Sequence, residues 1–260
     1  MTPIDAAHAA MEAAPDDEGA RLRFYERLAE SELFLLLDGP ATGDALTPRV
    51  LDLSTGSLVA SFDTEDRLAA FAGAGADYAA LPGRRLAQML AGQGVGLGLN
   101  LGVAPSAILL PPEAMDWLAG TLGQGPAEVD ARIEALTAPA GVPEALLAAL
   151  DRKLARAAGL ASAAWLSGVT YADGRRGHLL AVVGAAEGAE APLAVEIAEA
   201  LTFAGLEAGE LDVVFLAADD PVTDRLARVG LRFDLPEPPA TVAVPPAAPG
   251  MDPDRPPKLR

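Results

Sequence analysis

Residues 50–72, VLDLSTGSLVASFDTEDRLAAFA, contain a change of hydrophobic period that decides the fold class. Two short apolar runs, residues 50–53 and 58–62, flank a turn that carries Gly56, and this pattern is typical of a β-hairpin. The acidic run Asp63–Asp66 follows at once and suits the N-cap and first turn of a helix. Strands followed directly by a helix predict a domain in which helices pack on a sheet.

The residues on both sides of this stretch continue the pattern. Helical spacing over residues 21–30 precedes an apolar run, Leu33–Leu37, which we interpret as a buried strand. A short strand over residues 78–81 leads through Pro82-Gly83 into a helix over residues 84–91. The last two elements predicted for this half are a strand and a Pro-started helix, residues 107–110 and 112–122.

The second half has its own order of elements beyond the boundary sequence Gly123–Pro126. The predicted order is strand, helix, strand, strand, helix, strand, at residues 128–137, 144–158, 162–171, 178–184, 193–205 and 211–217. This βαββαβ order predicts a ferredoxin-like sandwich, and a further helix over residues 221–229 follows it. We therefore predict an α+β fold of two α/β sandwich domains, the second ferredoxin-like with an added C-terminal helix.

Four segments are expected along the chain. Residues 1–19 are polar and Ala-rich, and we predict a flexible N-terminal arm that is either a weak, frayed helix or disordered. Residues 20–124 and 125–235 are the two predicted domains. Residues 236–260 contain nine prolines and are predicted to be a disordered tail.

Composition excludes several classes of function. The net charge is −18, with −10 before residue 125 and −8 from there on, so both halves are acidic. Such a field repels phosphate backbones and anionic lipids, and we expect neither a nucleic-acid nor a membrane partner, although a cationic partner stays open. The chain has no cysteine, which excludes disulfides and thiolate chemistry. Residues 1–19 lack the pattern of a signal peptide, so we expect a cytoplasmic location, and the Ala- and Arg-rich usage suggests a bacterial source.

The motifs of the first half follow one another in an order that resembles a known family. They are Leu33–Leu37, Phe62–Leu68 with Phe71, Tyr78 with Leu81–Arg84, Gly98–Gly102, and the helix from Pro112 to Leu118. This succession resembles the N-terminal domain of the SseB-like, or enhanced serine sensitivity, family. The helix over residues 144–158 and the strand Leu179–Gly184 resemble the family's C-terminal domain. The resemblance covers about residues 22–234 and implies a fold and a link to serine tolerance, but no catalytic residue. Family members commonly have proline after the turn asparagine, where this chain has Leu101.

The glycine-rich residues 92–102 are the first place where we expect a ligand. Glycines at alternate positions in a strand leave one face bare, which allows either close backbone packing or a groove for a peptide or small ligand. The spacing does not match the G-x-G-x-x-G of dinucleotide sites. Asn100 either orients a ligand or satisfies backbone groups in its turn. Arg84 and Arg85 stand at a helix start and either bind an anion or remain solvated. The candidate ligand-binding residues are therefore Gly94, Gly96, Gly98, Asn100, Arg84 and Arg85.

No catalytic residue, metal site or cofactor is predicted. His178 would need Asp173 to act as a base, and the alternative is an exposed histidine at a strand end. The acidic run Asp63–Asp66 lacks the pattern of a calcium loop. The leading hypothesis is a non-catalytic binding or regulatory protein with an unknown protein or small-molecule partner. The alternatives are an enzyme of amino-acid metabolism with carboxylates and arginines at the domain junction, and a scaffold that recruits partners through its tail. The oligomeric state stays open.

Overall fold

The computed structural model describes residues 1–40, 46–54, 56–73, 75–123, 132–205 and 211–236. These residues form two sheet-containing domains, and the predicted α+β class is confirmed. The predicted boundary at residues 124–126 and the tail from residue 237 onward lie outside the described residues. None of the described helices combines the length and the apolarity of a membrane span.

The first domain has helices on both faces of a mixed sheet. Its elements are α1 (Pro3–Ala13), α2 (Glu18–Glu30), β1 (Glu32–Leu36), β2 (Val50–Leu53), β3 (Gly56–Phe62), α3 (Glu65–Ala72), β4 (Tyr78–Pro82), α4 (Gly83–Leu90), β5 (Gly96–Leu99), β6 (Ile108–Leu110) and α5 (Pro112–Leu122). The strand order is β4-β1-β3-β5-β6, and β2 pairs with β3 in the predicted hairpin. The β3–β5 pair is parallel and the other pairs are antiparallel.

Alternation along the strands divides the apolar residues between the two faces. In β1, Leu33 and Leu35 point to the large core under α1, α2, α4 and α5, whereas Leu36 points to a smaller core under α3. Thr64 caps α3, because its hydroxyl accepts a hydrogen bond from the Arg67 N–H. The acidic run of the opening stretch therefore starts a helix, as predicted.

The N-terminal residues differ from the flexible arm expected for residues 1–19. Residues 3–13 form α1, which starts in a capping box between Thr2 and Asp5. Ile4 is 1 % exposed and belongs to the large core, and His8 is also buried. A helix was one of the two forms predicted for this arm, but a frayed one. Contacts with the rest of the domain, and not its periodicity, hold α1 in place.

The second domain follows the predicted element order. Its elements are β7 (Ile133–Thr137), α6 (Glu144–Ala155), β8 (Ala163–Tyr171), β9 (Arg176–Val183), α7 (Glu190–Phe203), β10 (Leu211–Leu216), α8 (Val222–Val229) and β11 (Leu231–Asp234). The helix face predicted by Leu146, Leu150 and Leu154 is buried in the core of this domain. The added C-terminal helix is α8, and a further strand, β11, follows it.

The strand pairing of this domain differs from the predicted ferredoxin-like arrangement. In a split βαβ fold another strand separates the two strands of each unit. Here β9 and β10 are direct parallel neighbours, and β7 pairs directly with β8 in the antiparallel direction. The nine-residue β8 pairs with β11 along one half and with β7 along the other. Element order alone does not determine which strands are neighbours, and this is why the prediction failed at this level.

The two domains share a core. Phe203, the last residue of α7, is 2 % exposed and packs among the apolar residues of the first domain. Its ring meets that of Trp117 edge to face, at 6.5 Å between ring centres. Because an aromatic side chain of one domain completes the core of the other, the junction is part of the folded interior.

Candidate functional site

The glycine-rich segment contains a turn followed by a short strand. Gly92 and Gly94 have φ of 72° and 66° and lie in the turn after α4, so the strand is shorter than predicted. Gly96 lies in β5 between two neighbouring strands, and a Cβ atom there would come 2.5 Å from the carbonyl oxygen of Leu110. The glycine at this position therefore permits a close backbone approach.

Leu101 covers the second glycine of the strand. A Cβ atom on Gly98 would lie 2.5 Å from the Cδ1 atom of Leu101 and 3.0 Å from that of Leu58. The bare face of β5 at Gly98 is thus occupied by Leu101, a side chain of the turn that follows the strand. The structure places an apolar side chain of the chain itself where the groove was expected.

Asn100 uses its side-chain amide within the chain. It is fully buried and has φ of 51°, the only positive value among the non-glycine residues that the structure describes. Its Oδ1 atom accepts a hydrogen bond of 3.1 Å from the Asp63 N–H, and its Nδ2 atom donates one of 2.9 Å to Ser106. The amide therefore fastens the turn to the end of β3.

A buried polar network continues from this amide to α1. Ser106 donates a hydrogen bond of 2.6 Å to Asp5, and both Nη atoms of Arg67 donate to the same carboxylate. Arg67 also pairs with Asp63 at 2.6 Å. The hydrogen bonds from Arg67, followed by that from Ser106, hold the pKa of Asp5 well below its usual value, although burial acts in the opposite direction.

The two candidate arginines have different surroundings. Both Nη atoms of Arg84 donate hydrogen bonds of 3.2 Å to the carboxylate of Glu199 in the second domain. Arg85 is exposed and donates to Gln88. The anion that Arg84 binds at this helix start is therefore a glutamate of α7. The six predicted residues do not form one site.

Arg84 belongs to a set of ion pairs that we call the junction cluster. Its members come from α2, α4, α6, the residue that follows α6, and α7. They are Glu26, Arg27, Glu30, Arg84, Arg152, Lys153, Arg156, Glu196 and Glu199. Sequence reasoning identified only Arg84 among them. The available signal was the charge spacing on α6 and α7, but partners on different helices cannot be paired from spacing alone.

Lys153 is the central cation of the junction cluster. Its side chain is 2 % exposed, and its Nζ atom lies 2.8 Å from Glu196, 3.0 Å from Glu199 and 3.2 Å from Glu30. Burial opposes the charge of Lys153, but hydrogen bonds to Glu196 and Glu199 outweigh it and raise the lysine's pKa. Burial likewise opposes ionisation of Glu30, yet attraction to Lys153 and Arg156 lowers its pKa.

Glu26 differs from Lys153 and Glu30 because its pKa is shifted toward the neutral form. Burial raises its pKa, and its pair with Arg152, 2.7 Å from oxygen to nitrogen, offsets that effect only in part. Its Oε1 atom is buried with no hydrogen-bond partner among the described residues, and the same holds for the Nε atom of Arg152. One acceptor and one donor at the edge of the cluster therefore make no hydrogen bond within the described residues.

A depression of about 510 Å³ lies beside these two residues, between α1, α2 and α6. One wall consists of small residues of α1, including Ala7 and Ala10. The charged residues that line it are Arg23, Glu26, Arg27 and Arg152. Arg23 and Arg27 are four residues apart and share a helix face, which is a signal that sequence reasoning had available, whereas Arg152 comes from the other domain.

The other polar residues singled out from the sequence have separate partners. The Nε2 atom of His178 lies 3.0 Å from the carbonyl oxygen of Ala140, and Asp173 accepts a hydrogen bond from the Arg175 N–H. Across the described ranges, no group of three or more His, Cys, Asp or Glu side chains is placed to hold a metal ion.

Fold and site together define a two-domain α+β protein whose domains are joined by a shared core and an ion-pair cluster. Residues 5–117 match the family model described as SseB protein N-terminal domain. This match confirms the resemblance of the first domain to the SseB N-terminal domain that the motif order predicted. The match includes most of α1, so this helix belongs to the domain.

The second domain lies outside that match, and its resemblance to the family's C-terminal domain stays a prediction. No curated protein and no solved structure matches the chain significantly.

Proposed function

We propose that this chain is a non-catalytic binding or regulatory protein, acting in the cytoplasm, with the link to serine tolerance that its family name implies. The observation that supports this most is the junction cluster. It gathers buried carboxylates and cations, as an active site would, but pairs them with one another. A general acid or base works best with a pKa near the operating pH. The pKa of Lys153 is raised and that of Glu30 is lowered, and both directions lead away from neutrality.

The alternative of an enzyme of amino-acid metabolism depends on a group that can exchange a proton. Glu26 has a raised pKa, but its carboxylate is paired with Arg152. The cluster thus favours a structural role for these charges and counts against the enzyme alternative. The net charge of −18 favours neutral, zwitterionic or cationic ligands over nucleic acid.

The test is a thermal-shift screen of the full chain against amino acids and nucleotides, followed by mass spectrometry of the recovered ligand. A ligand that binds only the native state raises the melting temperature. We expect at least one compound to do so and to be recovered unchanged. Conversion of the compound would overturn the non-catalytic proposal, as would the absence of any ligand together with the absence of a reproducible protein partner.

A further inference from the structure

One edge of the first sheet is formed by β4, and this edge is open. Among the described residues β4 pairs with β1 alone, in an unbroken antiparallel register. Native edge strands are usually protected by charged side chains, by a bulge or by an element that covers them. The residues from Tyr78 to Leu81 are uncharged, and a proline stands only at the last position, Pro82. The edge is therefore suited to pairing with a further strand.

The hydrogen bonds between β1 and β4 determine which backbone groups of β4 point outward. The N–H of Leu37 donates a hydrogen bond of 2.9 Å to the carbonyl oxygen of Asp77, so the odd-numbered residues of β4 bond to β1. In an antiparallel pair the residues between them direct both backbone groups to the opposite side. Tyr78 and Ala80 therefore present two N–H donors and two carbonyl acceptors at the open edge, and both residues are exposed.

Exposed carboxylates surround this edge. Glu32 lies opposite Pro82 at one end of β4, and Asp77 precedes the strand at the other end, about 17 Å away at about 3.4 Å per residue. Glu65 of α3 lies beside the Tyr78 hydroxyl, and the hydrogen bond between them raises the pKa of Tyr78. None of these three carboxylates has an ion-pair partner among the described residues.

The arginines at the start of α4 balance this charge only in part. Arg84 is paired with Glu199, which leaves the exposed Arg85 against the three carboxylates. A second copy of the chain would bring the same carboxylates together across the new strand pair, and like charges oppose such a pairing. Charge complementarity therefore favours a cationic segment of another protein.

An apolar surface adjoins the open edge. Tyr78 is 40 % exposed, and its ring meets that of Phe34 edge to face, with 5.7 Å between ring centres. A strand added to β4 would place one of its side chains beside Tyr78, and a β-branched side chain pairs favourably with an aromatic one across strands. The segment is therefore apolar between its charged residues.

Resting on the proposed binding function, we propose that the edge of β4 binds an extended segment of a partner protein by β-strand addition. The segment has lysine or arginine at both ends and β-branched residues between them. Backbone hydrogen bonds to Tyr78 and Ala80 supply the affinity, as in other cases of strand addition. The carboxylates of Glu32, Glu65 and Asp77 select the cationic ends.

Fluorescence polarisation of labelled, end-capped peptides with the full chain tests this. The basic probe is Lys-Thr-Val-Thr-Val-Lys, whose lysines have the same spacing as Asp77 and Pro82, the residue opposite Glu32. We expect it to bind at least tenfold more tightly than the same peptide with glutamate in place of both lysines. It should exceed by the same factor a basic peptide with N-methyl groups on the four central residues, which keeps the charge but loses those N–H donors. No binding of the basic probe, or equal binding of either control peptide, would overturn the proposal.

Variants of the chain locate the binding. Ala80→Pro removes an outward N–H without breaking a hydrogen bond to β1, and it should weaken binding of the basic probe at least tenfold at an unchanged melting temperature. Glu32→Gln with Asp77→Asn should weaken it at least fivefold. Glu12→Gln with Asp16→Asn removes the same charge from exposed residues in and after α1, and it should change binding less than twofold. Equal effects of the two double variants, or full binding by Ala80→Pro, would overturn the site. If Ala80→Pro lowers the melting temperature, the double variants decide.

Analytical ultracentrifugation distinguishes the cationic partner from a second copy of the chain. We expect Ala80→Pro to leave the oligomeric state unchanged. A dimer that this exchange converts to monomers would show that a second copy occupies the edge, and it would overturn the proposal.

These outcomes also separate this inference from the proposed function. A ligand or protein partner of the full chain that binds unchanged to Ala80→Pro, together with no binding of the basic probe, would leave the binding function standing and remove this site. The absence of any ligand and any partner would remove both.

Discussion

Lys153 is one of only two lysines in a chain that has 17 arginines, and its surroundings account for the choice. Three carboxylates, from Glu30, Glu196 and Glu199, approach its Nζ atom within 3.2 Å. An ammonium group is compact and directs three donors to different sides, whereas the guanidinium of arginine is a wide planar fork. The position therefore requires lysine and not merely a positive charge.

The exchange of Lys153 for arginine tests this requirement. We expect Lys153→Arg to lower the free energy of unfolding by about 1–3 kcal/mol, the usual cost of overpacking a buried site. Lys153→Met should cost about 3–5 kcal/mol, because it leaves buried carboxylates without their cation. Urea unfolding measures both, with the exposed Arg85→Lys as a control that should stay within about 0.5 kcal/mol of the wild type. A Lys153→Arg variant as stable as the wild type would contradict the steric argument.

Asp5 makes the stability of the first domain depend on pH. Its pKa in the folded chain is lowered, mainly by Arg67, while an unfolded aspartate titrates near pH 3.9. A carboxylate with a lowered folded pKa stabilises the protein above its unfolded pKa, and this contribution is lost as the pH falls toward the folded pKa. We expect Asp5→Asn to cost about 3 kcal/mol at pH 7, as for other broken buried pairs. The difference from the wild type should shrink below about pH 4.

Urea unfolding at pH 7, 5 and 3.5 measures this difference. Asp16→Asn removes the same charge from an exposed position and should change stability little at any of these pH values. A penalty for Asp5→Asn that stays constant down to pH 3.5 would show that the charge of Asp5 does not matter.

At the scale of elements, α4 approaches α2 through a glycine. The backbone N–H of Gly83 donates a hydrogen bond of 2.8 Å to the Ser31 carbonyl, and a Cβ atom at this position would overlap the carbonyl oxygen of Leu28. The neighbouring atom is backbone and cannot move aside. Gly83 therefore sets the distance between the two helices, and with it the position of Arg84 at the junction.

Two glycine-to-alanine exchanges distinguish this contact from helix propensity. Gly83→Ala should destabilise the chain by about 1–3 kcal/mol, because α4 has to move away from α2. Gly120, inside α5, has open space around its Cα atom, and Gly120→Ala should stabilise the chain by about 1 kcal/mol. Urea unfolding measures both, and a stabilising effect at residue 83 would contradict the close contact.

Elements defined by local signals could be predicted from the sequence. The hairpin of β2 and β3 followed by α3, and the buried face of α6, depend on turn residues, a helix cap and regular spacing within a few residues. The parallel β9–β10 pair and the docking of α1 could not, because both depend on contacts between residues far apart in the chain.

The same limit applies to the candidate site. The sequence indicated that Arg84 could meet an anion at a helix start, but the carboxylate that it meets belongs to Glu199 in another domain. The arginines of the depression likewise come from two domains, as Arg23 and Arg152 show. The spacing of charged residues along the sequence indicates ion-pair partners on one helix. It does not indicate partners that come from different parts of the chain.

For the whole molecule, the shared core predicts that the two domains unfold together. Phe203 contributes a buried aromatic side chain to the core of the first domain from the end of α7. We expect Phe203→Ala to cost about 3–5 kcal/mol and to separate the melting of the two domains into two calorimetric transitions. The wild type should show one transition.

The control makes the same exchange at the surface. Phe71, in α3, is 39 % exposed, and Phe71→Ala should cost less and retain the single transition. Two transitions already present in the wild type would show that the shared core does not couple the domains.

The position of Phe203 also matters during synthesis. The first domain ends with α5 at Leu122, and a ribosome adding about 5–20 residues per second needs on the order of ten seconds to reach α7. Throughout that interval the nascent first domain carries an apolar gap where the ring of Phe203 belongs. The core of the first domain therefore stays incomplete until the second domain has been synthesised. We expect a chaperone that recognises exposed apolar surface to bind the nascent chain during this interval.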